Sequence, residues 1–406
     1  MRLSNSTAFV LLASIIVVFL AGSSAPTPLY PAYQAEWGFS PITITLIFGI
    51  YAVAVLAALL VFGSISDYVG RRPVLIVATI VEVVAMIIFV TADGLGALLA
   101  ARVVQGLGVG AAVAAAGAAM LDIDRERGTV ANAASPGLGS ALGALLSGLL
   151  VQFLPMPKVL VYCVIGAVLV GQIVGIYFMQ ETTKGKPGAA KSLRPHIRVP
   201  SELRMAVLLA APALIAAWSL AGFYGSLAPA LIRRVLESKA PVLGGVGLFA
   251  LAASGALTII LARRLPAKVI VRFGTVMLMV GVAGVLLATY VGSMFWFFAA
   301  TAAAGVGFGA SFHGGLHSVL SITPPGHRAG VLSVLSLIAY LSMGVPAVIG
   351  GVRVVHGGGL VGTSYEYGGV VMILAAAAFA GSFVARRQGG TRGATPPAAP
   401  AAPANA

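Results

Sequence analysis

Apolar runs close to twenty residues long recur down the whole chain, parted by short polar gaps. Their spacing predicts helices near 7–29, 41–63, 73–92, 95–120, 129–153 and 159–179. A second set follows near 205–230, 242–262, 270–291, 295–320, 330–352 and 367–385. About 20 consecutive apolar residues is what a helix needs to cross the hydrocarbon core of a bilayer. The ladder of ~10-residue alternating segments that marks a membrane β-barrel does not occur. The pattern predicts an all-α membrane protein of 12 transmembrane helices in two six-helix halves. The longest polar stretch, "QETTKGKPGAAKSLRPHIRVPSELR" (180–204), divides them. This places an N-terminal half at 1–180, a cytoplasmic linker at 181–204 and a C-terminal half at 205–385. The Pro/Ala-rich end "TPPAAPAAPANA" makes 386–406 an expected disordered tail.

Composition strengthens the membrane assignment. Of 406 residues 59% are hydrophobic and 9% charged, with a mean hydropathy of +1.02. Soluble domains carry about 25% charged residues. A net charge of +14 would ordinarily raise nucleic acid as a partner. Here the charges sit in the gaps between apolar runs, which is how orientation signals are placed, so no nucleic-acid partner is expected. The single cysteine, Cys163, lies within an apolar run and offers neither a disulfide nor a thiol metal site. The opening segment resembles a secretory signal; it is expected to stay as a helix, because it completes an even helix count.

With the N-terminus inside, nineteen Lys and Arg fall on the inner side and five on the outer, leaving Arg102 within a helix. The positive-inside rule then puts both termini in the cytoplasm of a multi-pass inner-membrane protein. The halves also echo each other. "GLGVGAA" (106–112) in the fourth helix returns as "GVGFGAS" (305–311) in the tenth, offset by 199. Parallel six-helix repeats are a transporter architecture, with the solute path between the halves.

Three motifs carry a family resemblance. The loop after the second helix reads "GSISDYVGRRPVL" (63–75), with Gly63, Asp67, Gly70, Arg71 and Arg72 at its informative positions. Glycines suit a tight turn, and an acid beside two guanidiniums suits a charge network at helix ends. This resembles the G-x-x-x-D-x-x-G-R-R/K loop of the major facilitator superfamily. The fourth helix, "LLAARVVQGLGVGAA" (98–112), is similar to that superfamily's L-x-x-x-R-x-x-Q-G-x-G pattern through Arg102, Gln105, Gly106 and Gly108. The fifth, "GSALGALLSG" (139–148), keeps Gly139, Gly143 and Gly148 of the exporters' G-x-x-x-G-P-x-x-G-G, with Ala144 for the proline and Ser147 for a glycine. Small residues at that spacing let helices approach closely. The resemblance covers about 7–385. It implies the major facilitator fold, a central cavity lined by helices 1, 4, 7 and 10, and an arginine at position 102 that couples protons to solute movement.

Individual residues leave alternatives open. Arg102 is either functional, as intramembrane charge is by default, or snorkels towards the nearer membrane face. Glu82 is mid-helix in the third helix, peripheral in the resembled fold, and serves as a hydrogen-bonded structural acid or as a proton carrier. Glu36 is expected to be solvated. Asp67, Arg71 and Asp122 form a candidate gate, in which Asp67 could face the start of the eleventh helix near Gly330. His313 and His317, four apart on the tenth helix, titrate during the cycle, contact solute, or hydrogen-bond neighbouring helices. Without a carboxylate or thiol beside them they make a poor metal site, and no metal or other cofactor is expected. Tyr224 joins Trp218 and Phe223 as a cavity aromatic, although Trp37, Trp218 and Trp296 are equally placed as interfacial anchors.

The function expected is secondary active transport of a small molecule, driven by protons and directed outward. There is no G-x-x-x-x-G-K-S/T loop to bind ATP. A proton-coupled importer is the alternative. A membrane enzyme would need a convergent catalytic set, which is missing. A sensor would need an output domain, which tails this short are not expected to supply. The partners expected are the solute, protons and the lipid bilayer, with the chain acting as a monomer.

Overall fold

A computed structural model describes residues 2–195, 197–235 and 240–389. Among them run twelve helices of twenty residues or more. The first six are α1 Asn5–Ser24, α2 Pro41–Phe62, α3 Arg71–Val90, α4 Leu95–Ile123, α5 Arg125–Phe153 and α6 Pro157–Phe178. The second six are α7 Ser201–Ser226, α8 Val242–Ala262, α9 Ala267–Val291, α10 Met294–Leu320, α11 Arg328–Arg353 and α12 Gly359–Gly389. No strand occurs among the described residues. Eleven stretches are long and apolar enough to cross a membrane. The last, Pro325–Phe383, holds both α11 and α12, joined by a π-turn at Val354–Gly358. α12 continues to Gly389, into the segment assigned to the tail; 390–406 lies outside the described residues.

Large apolar side chains line the outside of the bundle, among them Val77 on α3, Val174 on α6, Leu261 on α8 and Ile373 on α12. In water such a surface would be costly; against acyl chains it is neutral. The halves therefore cohere by close packing, and the repeated glycines provide it. Gly106 and Gly110 of α4 meet α2 at Ala54 and Ala58, while Gly108 meets α3 at Ala78. In the second half Gly305 and Gly309 of α10 meet α8 at Leu251 and Gly255, and Gly307 meets α9 at Leu278. The same three-glycine stripe seats the fourth and tenth helices between equivalent neighbours. A Cβ on Gly309 would stand 2.7 Å from the Gly255 Cα, so any side chain there drives α8 and α10 apart.

Gly139 and Gly143 pack α5 onto α1 in the same way, at Leu20 and Ser24, whereas Gly148 faces Val242 of α8 across the two halves. The halves meet along α5–α8 and α2–α11. The contacting segments are 137–152 against 242–256, and 45–52 against 344–351. Thr27 also donates to the Gly225 carbonyl at 3.2 Å. These contacts occupy the middle of the bundle and the end bearing the 30–40 loop. At the other end, beside Asp67, Asp122 and the central linker, no hydrogen bond or ion pair joins the two six-helix halves among the described residues, so the halves are closed at one end and parted at the other.

The linker is not a passive tether. Lys186 N–H donates to the Tyr68 carbonyl and the Ser64 hydroxyl to the Ser192 carbonyl, which holds residues 181–192 under the first half. α7 starts at Ser201, four residues before the expected boundary, and takes Glu202 into its first turn, where acids suit the helix dipole.

Candidate functional site

The polar centre of the first half begins with a break in α1. The chain passes Pro26 and Pro28, leaves the helix at Ser24 and re-enters a short one at Tyr30–Trp37. Where a helix stops, its last carbonyls have no N–H one turn further on to accept. Side chains from α4 and α5 take them. Arg102 donates to the Ser23 carbonyl at 2.8 Å and Ser147 to the Ala25 carbonyl at 2.6 Å. Ser147 is the residue standing where the resembled motif has glycine.

Arg102 is fully buried and does not snorkel. Besides Ser23 it donates to the Gln105 Oε1 at 2.7 Å and the Tyr30 hydroxyl at 2.5 Å. Its guanidinium carbon lies 5.1 Å from the Tyr51 ring centroid and 5.7 Å from those of Tyr30 and Phe89. Three hydrogen bonds, an α1 C-terminus and three π faces replace the water that the cation lost. Its Nε has no partner.

Gln105 extends the network: its Nε2 donates to Glu82 Oε1 at 3.1 Å. Glu82 is as buried as Arg102. Far from peripheral, it points from α3 into the packed interior, where Gly22 and Gly108 leave it room. Its second oxygen has no hydrogen-bond partner. Cation, amide and acid thus lie in sequence across α4 and α3, with Gln105 between charges that do not touch. Tyr51, which donates to Ser23 Oγ at 2.8 Å, and the Tyr33–Tyr162 hydroxyl pair at 3.1 Å complete the polar interior.

The second half holds the same position with different chemistry. At offsets of 199 to 200, Arg102, Gln105 and Glu82 correspond to Thr301, Ala304 and Val282. Thr301 bonds the Tyr224 hydroxyl at 2.7 Å, and Tyr224, Val282 and Ala304 border an apolar cavity. Tyr224 is buried, with its hydroxyl already bonded to α10. Among the described residues, the buried cation–amide–acid series occurs in the first half alone.

The loop cluster assembles as the sequence suggests, with one addition. Arg71 pairs with Asp67, meets Asp122 Oδ2 at 3.1 Å through Nε and donates to Ser66 Oγ at 2.7 Å. Asp67 faces Arg71 rather than the start of α11. The addition is Glu181 from the linker. Its two carboxylate oxygens accept the first two backbone N–H groups of α3, Arg71 at 2.8 Å and Arg72 at 3.0 Å. An anion at a helix N-terminus satisfies orphan donors and the dipole together. Gly70 adopts φ +103°, and a Cβ there would press on the Glu181 carboxylate, which is why glycine stands at that corner. Thr182 donates to Asp122 at 3.1 Å, and Arg72 bonds the Tyr177 carbonyl. Gly63 caps α2 before the loop.

His313 is half-buried and His317 exposed, with near-parallel rings 6.0 Å apart. Neither ring makes a hydrogen bond among the described residues, so of the three alternatives the one in which they bond neighbouring helices is not seen. They lie in the half of α10 nearest the parted end and share no contact with Arg102. Glu36, expected in solvent, pairs with Lys158, which also sits over Tyr33 and Trp37. Trp296 is exposed as an interfacial anchor would be, whereas Trp218 is interior.

Comparison with known proteins matches this architecture. A family model described as Major Facilitator Superfamily aligns with residues 12–347. Multidrug resistance protein MdtL of Klebsiella pneumoniae (strain 342) is 32% identical over 124 residues, 30% of this chain and 32% of that protein. The class C tetracycline resistance protein of Escherichia coli is 27% identical over 191 residues, 45% and 48% of the two chains. The aligned stretches thus span between about a third and a half of these curated relatives. Over the whole fold, a bacterial homologue of the human lysosomal transporter Spinster, solved inward-facing and unoccupied, superposes with a TM-score of 0.72 at 16% identity, covering 94% of this chain and 98% of that one. The human organic anion transporter MFSD10 gives 0.67 at 15% identity, covering 93% and 100%.

Proposed function

Because the chain belongs to the major facilitator superfamily, whose members are multi-pass membrane transporters and not enzymes, we propose that it exports a small molecule, a drug or a metabolite, in exchange for protons. Twelve crossings of the cytoplasmic membrane with both termini inside give the topology, on the charge asymmetry. The parted end then faces the cytoplasm, and transport proceeds by rocking one half against the other, with a monomer as the working unit. The buried Arg102–Gln105–Glu82 series carries the proposal. An ionisable acid and a fixed cation, relayed through an amide beside the broken α1, can answer a proton by rearranging the helix end that Arg102 holds. A second reading, proton-driven import, is favoured by the altered α5 motif, where Ala144 replaces the exporters' proline.

Purified protein in proteoliposomes with an imposed pH gradient tests both. Uphill movement of at least one panel compound, driven by the proton gradient, is expected, its direction relative to the protons deciding between export and import; no movement of compound or protons refutes the coupling. In the same assay Asp67→Asn should slow turnover about tenfold while leaving binding unchanged, because the cluster sets the rate of opening and not the solute site. An unaltered rate would remove the gate assignment. His313→Gln and His317→Gln should shift the pH profile between about pH 5 and 8, since imidazole is the side chain whose charge ordinarily changes in that range. An unchanged profile would leave them to packing or solute contact alone.

A further inference from the structure

Nearly every aromatic hydroxyl inside the bundle is occupied. Tyr30 accepts from Arg102, Tyr33 and Tyr162 bond each other, Tyr51 bonds Ser23, Tyr224 bonds Thr301, and Tyr367 donates to the Ser219 carbonyl. Two neighbouring groups in the second half are the exception. The Trp218 indole N–H on α7 is buried without a partner, and the Tyr340 hydroxyl on α11 has none within the described protein. Their rings lie 5.2 Å apart, and Phe312 of α10 meets Trp218 edge-on at 5.5 Å. Trp218 and Tyr340 pack against a hydrophobic cluster made mostly of first-half residues, together with Met343 and Ala347 of α11, and Tyr340 lies near Tyr51 of α2. The trio therefore stands where α7, α10 and α11 converge beside the first half.

A buried donor without an acceptor costs free energy, and three converging rings with two free donors form a specific surface for a guest. A cation cage would need ring faces turned to the charge. Here Phe312 lies at 77° to the indole, and the free groups are donors, whose positive ends repel a cation. No carboxylate offsets them: α10 and α11 contain no Asp or Glu, α7 has only Glu202 at its far end, and Glu82 is turned into the first half.

We propose that Trp218, Tyr340 and Phe312 form the solute-binding site, and that it takes a flat aromatic compound bearing a hydrogen-bond acceptor, neutral or anionic, in preference to a lipophilic cation. The aromatic plane packs on the outer ring faces of the trio and the acceptor takes the Trp218 N–H. The proposal rests on the region between the halves being the solute path.

Equilibrium binding to purified protein in lipid nanodiscs, with no gradient and no transport readout, tests it. The probes are radiolabelled 2-naphthoate and 2-naphthamide against tetraphenylphosphonium. Saturable binding of at least one naphthyl probe is expected, with the phosphonium weaker. Trp218→Phe keeps the packing, loses the donor and should weaken naphthyl binding about tenfold, the worth of one hydrogen bond to a buried donor. Tyr340→Phe should weaken it less, because the acceptor is seated on the Trp218 N–H. Tighter binding of the phosphonium, no saturable naphthyl binding, or full affinity in a folded Trp218→Phe protein each overturns the site. Naphthyl binding that depends on Trp218 without any coupled transport would leave the site standing and refute the proton-coupled reading alone.

Discussion

Arg102→Ala is expected to abolish pH-gradient-driven transport, lowering its rate at least about a hundredfold, and to lower the thermal stability of the purified protein. The guanidinium is a structural plug as well as a charge. Its removal leaves the Ser23 carbonyl, the Gln105 amide oxygen and the Tyr30 hydroxyl without a shared donor inside a dry interior. Breaking a buried charge network of this kind costs about 3–5 kcal/mol. Arg102→Lys separates the two roles. An ammonium keeps the charge but cannot reproduce the fork that reaches α1 and Gln105 together. Stability should be largely restored and coupling only partly. Uptake by everted vesicles, read beside thermal unfolding in detergent, checks both; coupled transport at the native rate in Arg102→Ala would eliminate the role.

Glu82→Gln is expected to give the cleanest separation of solute movement from proton movement. The amide is nearly isosteric with the acid and still offers Gln105 an acceptor oxygen, so the packing beside Gly22 and Gly108 survives. It cannot take up or release a proton. Exchange of labelled for unlabelled solute without a gradient should stay within about twofold of the native rate, while gradient-driven accumulation falls to background. Accumulation that persists would move the proton site elsewhere, and loss of exchange as well would make Glu82 structural.

The backbone architecture was nearly all legible. Helix positions follow from the lengths of apolar runs, and bilayer thickness makes that signal strong. The glycine stripe at 106–110 and its echo at 305–309 were visible as a repeat, because close helix approach restricts the residue type directly. The loop cluster was legible for Asp67, Arg71 and Asp122, but not for Glu181. It stands about 110 residues from the helix it caps, and nothing in its local sequence marks it. The same limit applies to Glu82. Its position in a membrane helix was plain, yet its partner depends on the rotation of α3 about its axis, which places it inward towards Gln105. Trp218 reads from the chain as either a cavity aromatic or an interfacial anchor; its contacts with Phe312 and Tyr340 arise only when α7, α10 and α11 converge.

Sequence alone determined that this chain is an all-helical membrane protein of two matched halves, with one arginine where lipid would forbid it. Those features follow from hydrophobicity, charge placement and side-chain size, which act residue by residue against the bilayer. Tertiary structure decided what the arginine is for. Only packing brings the broken end of α1, Gln105 and Glu82 around Arg102 while its counterpart in the other half pairs a threonine with a tyrosine. Burial of a polar group is tolerated only where partners from distant segments converge, and that convergence is a property of the fold and not of any one stretch of sequence.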